Sequence, residues 1–263
     1  MVPEADIIPG HGGFDPGAVN NANGVRESDG NLGVGLKLKK LLEFNGIGGN
    51  MSRVTDVAVW GAKNQKDDVN WQIAFANQSS ADIAAAIHFN SSTNKSARGV
   101  EVLYSQYPSY DKNEILLANL VLAELVSATG LVNRGVKQVD SGIGVIKKVY
   151  KPTILIECAF VSNDSESIWC SDEAHQLILA RAIAKGICKY FGVEYKEEGS
   201  SEEMKIVVEA PDINVIMNGK PVDKTVLLTV DGRDTTYIPA VALRDVGINV
   251  KWDEASKTVV ITK

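Results

Sequence analysis

The chain has 263 residues, of which 44% are hydrophobic and 23% are charged, as in folded globular proteins with a packed core. Its net charge of -6 argues against a nucleic-acid-binding surface, which needs clustered lysine and arginine. Three cysteines without a CxxC pair favour neither a disulfide framework nor a cysteine-ligated zinc site. Because no stretch has the pattern of a signal peptide or the length of a membrane span, we expect no secretion signal and no membrane insertion, and therefore synthesis in the cytoplasm of the producing cell.

The first part of the chain alternates short apolar strands with amphipathic helices. This alternation predicts a three-layer α/β/α domain over residues 1–194, with a mostly parallel or mixed twisted sheet. The predicted strands are 5–8, 47–53, 81–88, 99–104 and 153–157, the predicted helices are 31–45, 66–79, 114–129 and 174–191, and 142–148 is predicted as a short strand or turn.

A second, smaller unit is predicted after a polar linker. Residues 195–204 are polar and small, which is typical of a linker, and residues 205–263 are predicted to form a small α+β domain. Its predicted elements are strands at 205–209 and 214–217, hairpin turns at Asn218-Gly219 and Asp231-Gly232, a helix at 239–246, and a closing hairpin formed by 249–252 and 258–262.

Few side chains other than carboxylates can bind a metal, because the chain has only three histidines. His11 follows the first predicted strand in a glycine-rich turn, His88 ends the third, and Glu27 lies at the start of the first predicted helix. Sites in such sheets gather at the carboxyl ends of strands. If these three side chains meet there, two imidazoles and one carboxylate leave zinc an open position for water, as catalytic zinc requires.

Each of these three residues also has a purely structural interpretation. His11 suits a turn, Glu27 suits the positive end of a helix dipole, and His88 suits a buried core position. Glu157 is harder to explain in this way, because a carboxylate at the end of an apolar strand is rarely buried unless it is paired, metal-bound or functional. Burial predicts a raised pKa for Glu157, which suits a general base.

At these positions the chain resembles the zinc-dependent N-acetylmuramoyl-L-alanine amidases, which cut peptidoglycan. The resemblance implies one zinc ion held by His11, Glu27 and His88, with Glu157 as general base for a zinc-activated water. The bond cleaved would be the amide between N-acetylmuramic acid and the L-alanine of the stem peptide, and we expect substrate contacts from Asn90 and Arg134. The matching stretches are Gly10-His11-Gly12-Gly13, Asp15-Pro16-Gly17-Ala18, Glu27, Arg53, Ile87-His88-Phe89-Asn90, Gly99-Val100-Glu101-Val102, Asn133-Arg134-Gly135-Val136-Lys137 and residues 152–163.

Three positions depart from the pattern of this family. Ile8 stands where an aspartate is usual before the glycine-rich turn, Gln72 where many members have arginine, and Ala159 where a glycine follows the catalytic glutamate. None of the three removes a ligand. Because Ile8 and Gln72 replace groups that would support the ligands, we expect weaker support of the metal.

The smaller unit resembles the α+β stalk domain first described at the amino terminus of copper amine oxidases, on residues 218–220, 231–233, 237–239 and 247–253. It has no histidine and no cysteine, so copper is not implied. The resemblance implies attachment to the cell wall, with homodimerisation as the alternative. Without a signal peptide, the combination is similar to a phage endolysin that reaches the wall after release, and an autolysin with non-standard export is the alternative. Two other functions stay open: a zinc peptidase acting on the stem peptide, and a non-catalytic cell-wall-binding protein.

Overall fold

The computed structural model describes residues 2–105, 111–139 and 144–197, and four strands in the remainder of the chain. It divides into two compact units, Met1–Lys196 and Glu197–Lys263. The elements of the first unit are β1 (Glu4–Pro9), α1 (Glu27–Phe44), β2 (Gly48–Met51), a 3-10 helix (Val59–Gly61), α2 (Gln65–Gln78), β3 (Ile83–Asn90), β4 (Val100–Ser105), α3 (Asp111–Thr129), β5 (Asn133–Val139), α4 (Gly144–Lys148), β6 (Thr153–Phe160), α5 (Asp164–Ser171) and α6 (Glu173–Phe191).

The six strands form one mixed sheet in the order β2-β1-β3-β6-β4-β5. Every neighbouring pair is parallel except β4 and β6, which confirms the predicted α/β fold with a mostly parallel sheet. As a result, the carboxyl ends of β1, β3 and β6 and the amino ends of β4 and β5 lie along one edge. We call this edge the site edge.

Apolar side chains cover both faces of the sheet, so the architecture has the three layers that the alternation of elements predicts. On one face Ile7 packs in a buried cluster with Leu38 and Leu41 of α1. On the other face Ile8 packs in a second buried cluster with Ile73 of α2 and Ala86 of β3. Successive residues of β1 therefore serve opposite layers, as the pleat of a strand requires.

Two predicted strand ends at the site edge are wrong. β3 continues past His88 to Asn90, and β6 continues past Glu157 to Phe160. The residues after Glu157 are apolar and buried, so the strand gains core packing by continuing. Glu157 is therefore inside a strand, where neighbouring strands hold it on both sides.

Other elements also differ from the sequence prediction. Residues 144–148 form helix α4 and not a strand or turn. Strand β5 was not predicted, because its residues are mostly polar and it lies at the end of the sheet, where one side of the strand has no partner strand. Helix α1 begins at Glu27, four residues before the predicted start.

The second unit is described through four strands. β7 (Thr225–Val230) and β8 (Arg233–Pro239) pair antiparallel on either side of Asp231-Gly232, and β9 (Asn249–Asp253) pairs antiparallel with β10 (Thr258–Thr262). The elements predicted at 205–209, 214–217, 218–219 and 231–232 lie outside the described residues. So does the helix predicted at 239–246, except for Pro239, which is the last residue of β8. Among the helices that the structure describes, none combines the length and apolar character that crossing a bilayer requires.

Candidate metal centre

A strained, firmly held loop presents His11 at the site edge. His11 has a positive φ of 62°, which is rare for any residue other than glycine and is concentrated at functional sites. The buried guanidinium of Arg53 donates to the carbonyl oxygens of Pro9 and Gly10 at 3.1 and 3.0 Å and to that of Ser28 at 2.9 Å. Arg53 therefore holds the loop that carries His11 in place.

His11, Glu27 and His88 meet at this edge, and their ligand atoms all lie within 4.8 Å of one another. Oε1 of Glu27 is 3.3 Å from Nε2 of His11 and 2.9 Å from Nδ1 of His88. The two imidazole rings stand nearly perpendicular, with centroids 5.1 Å apart. Three segments that are distant in sequence therefore bring two imidazole nitrogens and one carboxylate oxygen close together.

Further hydrogen bonds orient two of these ligands. Oδ2 of Asp15 is 2.9 Å from Nδ1 of His11, and Oδ1 of Asp15 accepts from the backbone of Gly17 at 3.0 Å. A carboxylate can only accept, so a neutral His11 keeps its proton on Nδ1 and offers Nε2 to the site. Oε2 of Glu27 accepts from the backbone of Ala18 at 2.9 Å, which leaves Oε1 facing the two histidines.

Two glycines make room for the ligands. A Cβ at Gly10 would stand 2.2 Å from the ring of His88, and a Cβ at Gly17 would stand 2.7 Å from Oε2 of Glu27. No larger residue fits at either position unless the ligands move. The spacing of glycines in the sequence therefore follows from the close approach of the backbone to the ligands.

The charges of this group reinforce one another. Burial by itself raises the pKa of Glu27, but hydrogen bonds from His11 and His88 and their positive charges outweigh it and hold the pKa well below its usual range. Burial lowers the pKa of His11, but Glu27 and then Asp15 raise it to about 9. The chain therefore keeps Glu27 ionised, and a cation that binds here displaces a proton from His11.

The donor set suits a metal ion. Two imidazoles and one carboxylate are the protein ligands of many catalytic zinc sites. Ligands about 2.0–2.2 Å from one zinc ion stand roughly 3.3 Å apart, close to the separations between Glu27 and the two histidines. The hydrogen bond from His11 to Asp15 is the contact that metal-bound histidines usually make with their other nitrogen. His11, Glu27 and His88 could therefore hold a metal.

Glu157 lies beside this cluster without being part of it. On the neighbouring strand β6 it is in register with His88 of β3 on one side and with Glu101 of β4 on the other. Its Oε2 is buried and has no hydrogen-bond partner among the residues that the structure describes. Burial, together with the charges of Glu27 and Glu101, raises the pKa of Glu157 to about 8, in the direction that the sequence predicts.

The two predicted substrate contacts, Asn90 and Arg134, both bind the buried carboxylate of Glu101. Asn90 donates to its Oε1 at 2.7 Å, and Arg134 and Lys137 both donate to its Oε2, at 2.7 and 2.5 Å. Burial alone would raise the pKa of Glu101, but the hydrogen bonds and positive charges of Lys137 and Arg134 hold this pKa below its usual value. We call Asn90, Glu101, Arg134 and Lys137 the Glu101 cluster.

Comparison with known proteins identifies the family. Residues 6–189 match the family model described as N-acetylmuramoyl-L-alanine amidase. The chain belongs to this amidase family. It is 32% identical over 191 residues to a germination-specific N-acetylmuramoyl-L-alanine amidase of Bacillus subtilis, a match that covers 70% of this chain and 78% of the relative.

Solved amidase structures share the fold of the first unit. An N-acetylmuramoyl-L-alanine amidase from Clostridium difficile is 32% identical, with a TM-score of 0.64 over 73% of this chain and 97% of that one. The CwlD amidase from Clostridioides difficile, solved in complex with the GerS lipoprotein, is 30% identical, with a TM-score of 0.67 over 73% of this chain and 100% of that one. The matched region of this chain therefore corresponds to nearly the full length of those two structures.

Two of the three departures from the family pattern, Ile8 and Gln72, can be followed in the structure. Ile8 is fully buried in the core. Gln72 is also buried and donates to Oδ2 of Asp68 at 2.6 Å, while Oδ1 of Asp68 accepts from the backbone of Val59 at 2.8 Å. Gln72 therefore supports the loop around the 3-10 helix, and none of its described hydrogen bonds reaches a metal ligand.

Sequence reasoning missed Glu101 and Lys137 as members of the site. Glu101 is a single carboxylate among the apolar residues of the strand predicted at 99–104, a signal similar to that of Glu157 at the end of its predicted strand. Lys137 lies on the unpredicted strand β5. Without that strand, nothing in the sequence brings Lys137 near Glu101.

Proposed function

We propose that this protein is a zinc-dependent N-acetylmuramoyl-L-alanine amidase that cleaves the amide between N-acetylmuramic acid and the L-alanine of the stem peptide. The observation that carries the proposal is the meeting of His11, Glu27 and His88 beside Glu157, whose buried Oε2 has no hydrogen-bond partner among the described residues. Membership of the amidase family supports the bond that is cleaved. The donor set supports zinc as the ion.

The chain's own residues divide the remaining work. His11, Glu27 and His88 would hold the zinc ion, and Asp15 would keep the ring of His11 in the orientation that offers Nε2. When bound there, zinc supplies Lewis-acid chemistry, which lowers the pKa of water and polarises a carbonyl oxygen. The low pKa of Glu27 fits its proposed place as a permanently ionised ligand.

Glu157 is proposed as the general base. Its Oε2 has no hydrogen-bond partner in the described part of the chain, so it is free to accept a proton from the attacking water. The same carboxyl group then delivers that proton to the leaving nitrogen of L-alanine. The positive charge of a zinc ion bound beside Glu157 would lower its pKa from the value of about 8 in the metal-free chain towards neutral pH. A group that titrates near neutral pH accepts and returns a proton readily.

Asn90 and Arg134 remain proposed substrate contacts, and Lys137 joins them. The side chains of Arg134 and Lys137 are 33% and 43% exposed although both bind Glu101. Two cations and one carboxylate leave the cluster with a net positive charge. A carboxylate of the stem peptide would find complementary charge there.

Product analysis of digested peptidoglycan tests the proposal. The zinc-loaded full chain should release intact stem peptides that begin with L-alanine, a chelator should abolish the release, and added zinc should restore it. Shorter peptide fragments would show a peptidase. Intact walls together with a protein that binds no zinc would show a wall-binding protein without activity.

We propose that the second unit attaches the enzyme to the cell wall. The resemblance of residues 218–253 to a stalk domain of wall-associated proteins supports this role, and homodimerisation stays the alternative. Removing residues 201–263 should leave cleavage of soluble wall fragments unchanged and weaken binding to whole walls. Unchanged wall binding would contradict the anchoring role, and a change in molecular mass in solution would favour the dimer.

A further inference from the structure

An open groove of about 590 Å³ adjoins the loop that presents His11. Its volume is within the range of about 300–1,000 Å³ that is typical of small-molecule sites. The groove is formed by the glycine loop after β1 and the segment after β2, whereas Arg134 and Lys137 lie on β5, at the other end of the strand order. Its walls include Gly13, Phe14, Asp56, Val57, Trp60 and Lys63.

Trp60 is held in the groove wall at a conformational cost. Its φ of 48° and ψ of 26° are left-handed, which is strained for a bulky side chain. The preceding Val59 is fully buried, and Asp68 fixes its backbone NH at 2.8 Å. Yet Trp60 is 54% exposed. The ring of Trp60 packs against that of Trp71, with centroids 5.6 Å apart, and the fold leaves the rest of the ring facing solvent.

The chemistry of the groove is both aromatic and polar. Phe14, the second large ring in its wall, is 46% exposed, and both Asp56 and Lys63 are exposed there. Sugars combine apolar ring faces with hydroxyl and amide groups, so they fit a wall of this kind. The groove wall carries one carboxylate and one cation, Asp56 and Lys63, and Asp56 already pairs with Arg26 at 3.4 Å. The Glu101 cluster pairs two cations with one carboxylate, so it suits a peptide carboxylate better.

We propose that this groove binds the sugar rings of the glycan strand on the sugar side of the scissile amide. Trp60 and Phe14 pack against the ring faces, and Asp56 and Lys63 bind hydroxyl and acetamido groups. The proposal rests on the proposed function, because the amide cleaved there joins a sugar to a peptide. The proposal fixes the orientation of the substrate along the site edge. The glycan lies in the groove, and the stem peptide lies over the Glu101 cluster.

The test uses the zinc-loaded full chain and a disaccharide of N-acetylglucosamine and N-acetylmuramic acid without peptide, titrated by NMR. Trp60→Ala should weaken its binding about tenfold, and Phe14→Ala should weaken it to a similar extent, which covers the case that one variant does not fold. Tyr150→Ala is the matched control, because Tyr150 is a 67% exposed aromatic near the start of β6, away from the site edge. It should leave the binding constant unchanged.

Cleavage rates supply the second measurement. The ratio of kcat/KM for a disaccharide-peptide to that for a lactoyl-peptide without sugar should fall about tenfold in Trp60→Ala. Equal losses on both substrates, or unchanged disaccharide binding in both groove variants, would overturn the proposal, as would binding of an apolar peptide in place of the sugar. Failure of the proposed function gives a different result, since disaccharide binding can be measured in a protein that cleaves nothing.

Discussion

Glu27, at the start of α1, and Glu157, in β6, both lie at the site edge, yet their surroundings shift their pKa values in opposite directions. Glu27 receives hydrogen bonds from two histidines and two backbone NH groups, and its pKa falls well below the usual value. Glu157 lies between His88 and Glu101 on adjacent strands with Oε2 unpartnered, and its pKa rises to about 8. Burial pushes both pKa values upward, so the partners alone decide which glutamate stays ionised and which can carry a proton.

The largest expected effect is on kcat when Glu157, the proposed base, is changed and the proposed ligand Glu27 is left intact. Glu157→Gln should lower kcat about 10³-fold, because it removes the general base, while zinc content stays at one ion per chain. Steady-state kinetics and metal analysis of the same preparation check this. Glu173→Gln, an exposed change in the first turn of α6, is the matched control and should alter neither quantity. Cleavage at the parental rate by Glu157→Gln would contradict the assignment.

A smaller effect, on zinc affinity, is expected when the contact that orients the proposed ligand His11 is removed. Asp15→Asn removes the carboxylate that holds Nδ1 of His11, and it should weaken zinc binding about 10–100-fold. Competition with a chelator measures the affinity. Asp56→Asn is the matched control, because Asp56 holds the same loop through the backbone of Gly13 at 2.9 Å without touching a histidine. Equal losses in both variants would mean that loop order, and not His11 orientation, sets the affinity.

The pKa of Glu157 also predicts how the stability of the metal-free protein depends on pH. The folded protein keeps the proton on Glu157 up to about pH 8, whereas the unfolded chain releases it near pH 4.5. Unfolding therefore releases a proton between these values, and this contribution to stability is lost as pH rises. Glu157→Gln has no ionisable group at this position, so between pH 5 and pH 8 the free energy of unfolding of the parent should fall by about 3.5 kcal/mol relative to that of Glu157→Gln. Urea denaturation with a chelator measures the difference, and a constant difference would contradict the raised pKa.

The smallest expected effect is on the pKa of Glu157 when its neighbour Glu101 is changed. Glu101→Gln removes one of the anions that raise the pKa of Glu157 and releases two cations beside it. Both changes favour the ionised form of Glu157, so the stability difference between pH 5 and pH 8 should move to lower pH. The same denaturation series, repeated with Glu101→Gln as the parent, measures the shift. An unchanged pH dependence would show that the charge of Glu101 does not reach Glu157, and movement to higher pH would contradict the direction of the coupling.

Much of the fold could be predicted from local pattern. The apolar runs that become β3 and β6 predicted buried strands, and the alternation of strands with helices predicted the layered sheet, because both signals lie within a few residues of one another. β5 could not be predicted in this way. Its residues are mostly polar, and it forms a strand because it pairs with β4.

The sequence by itself determined which side chains were available: two histidines near strand ends, a glutamate at a helix start, and a glutamate in an apolar strand. Only the tertiary structure decided that Glu101 and Lys137 join them, that Arg53 fastens the loop of His11, and that Trp60 faces solvent. The physical reason is that these roles depend on neighbours across strands and loops. Strand order and register set the distances between these side chains, and a local stretch of sequence does not specify them.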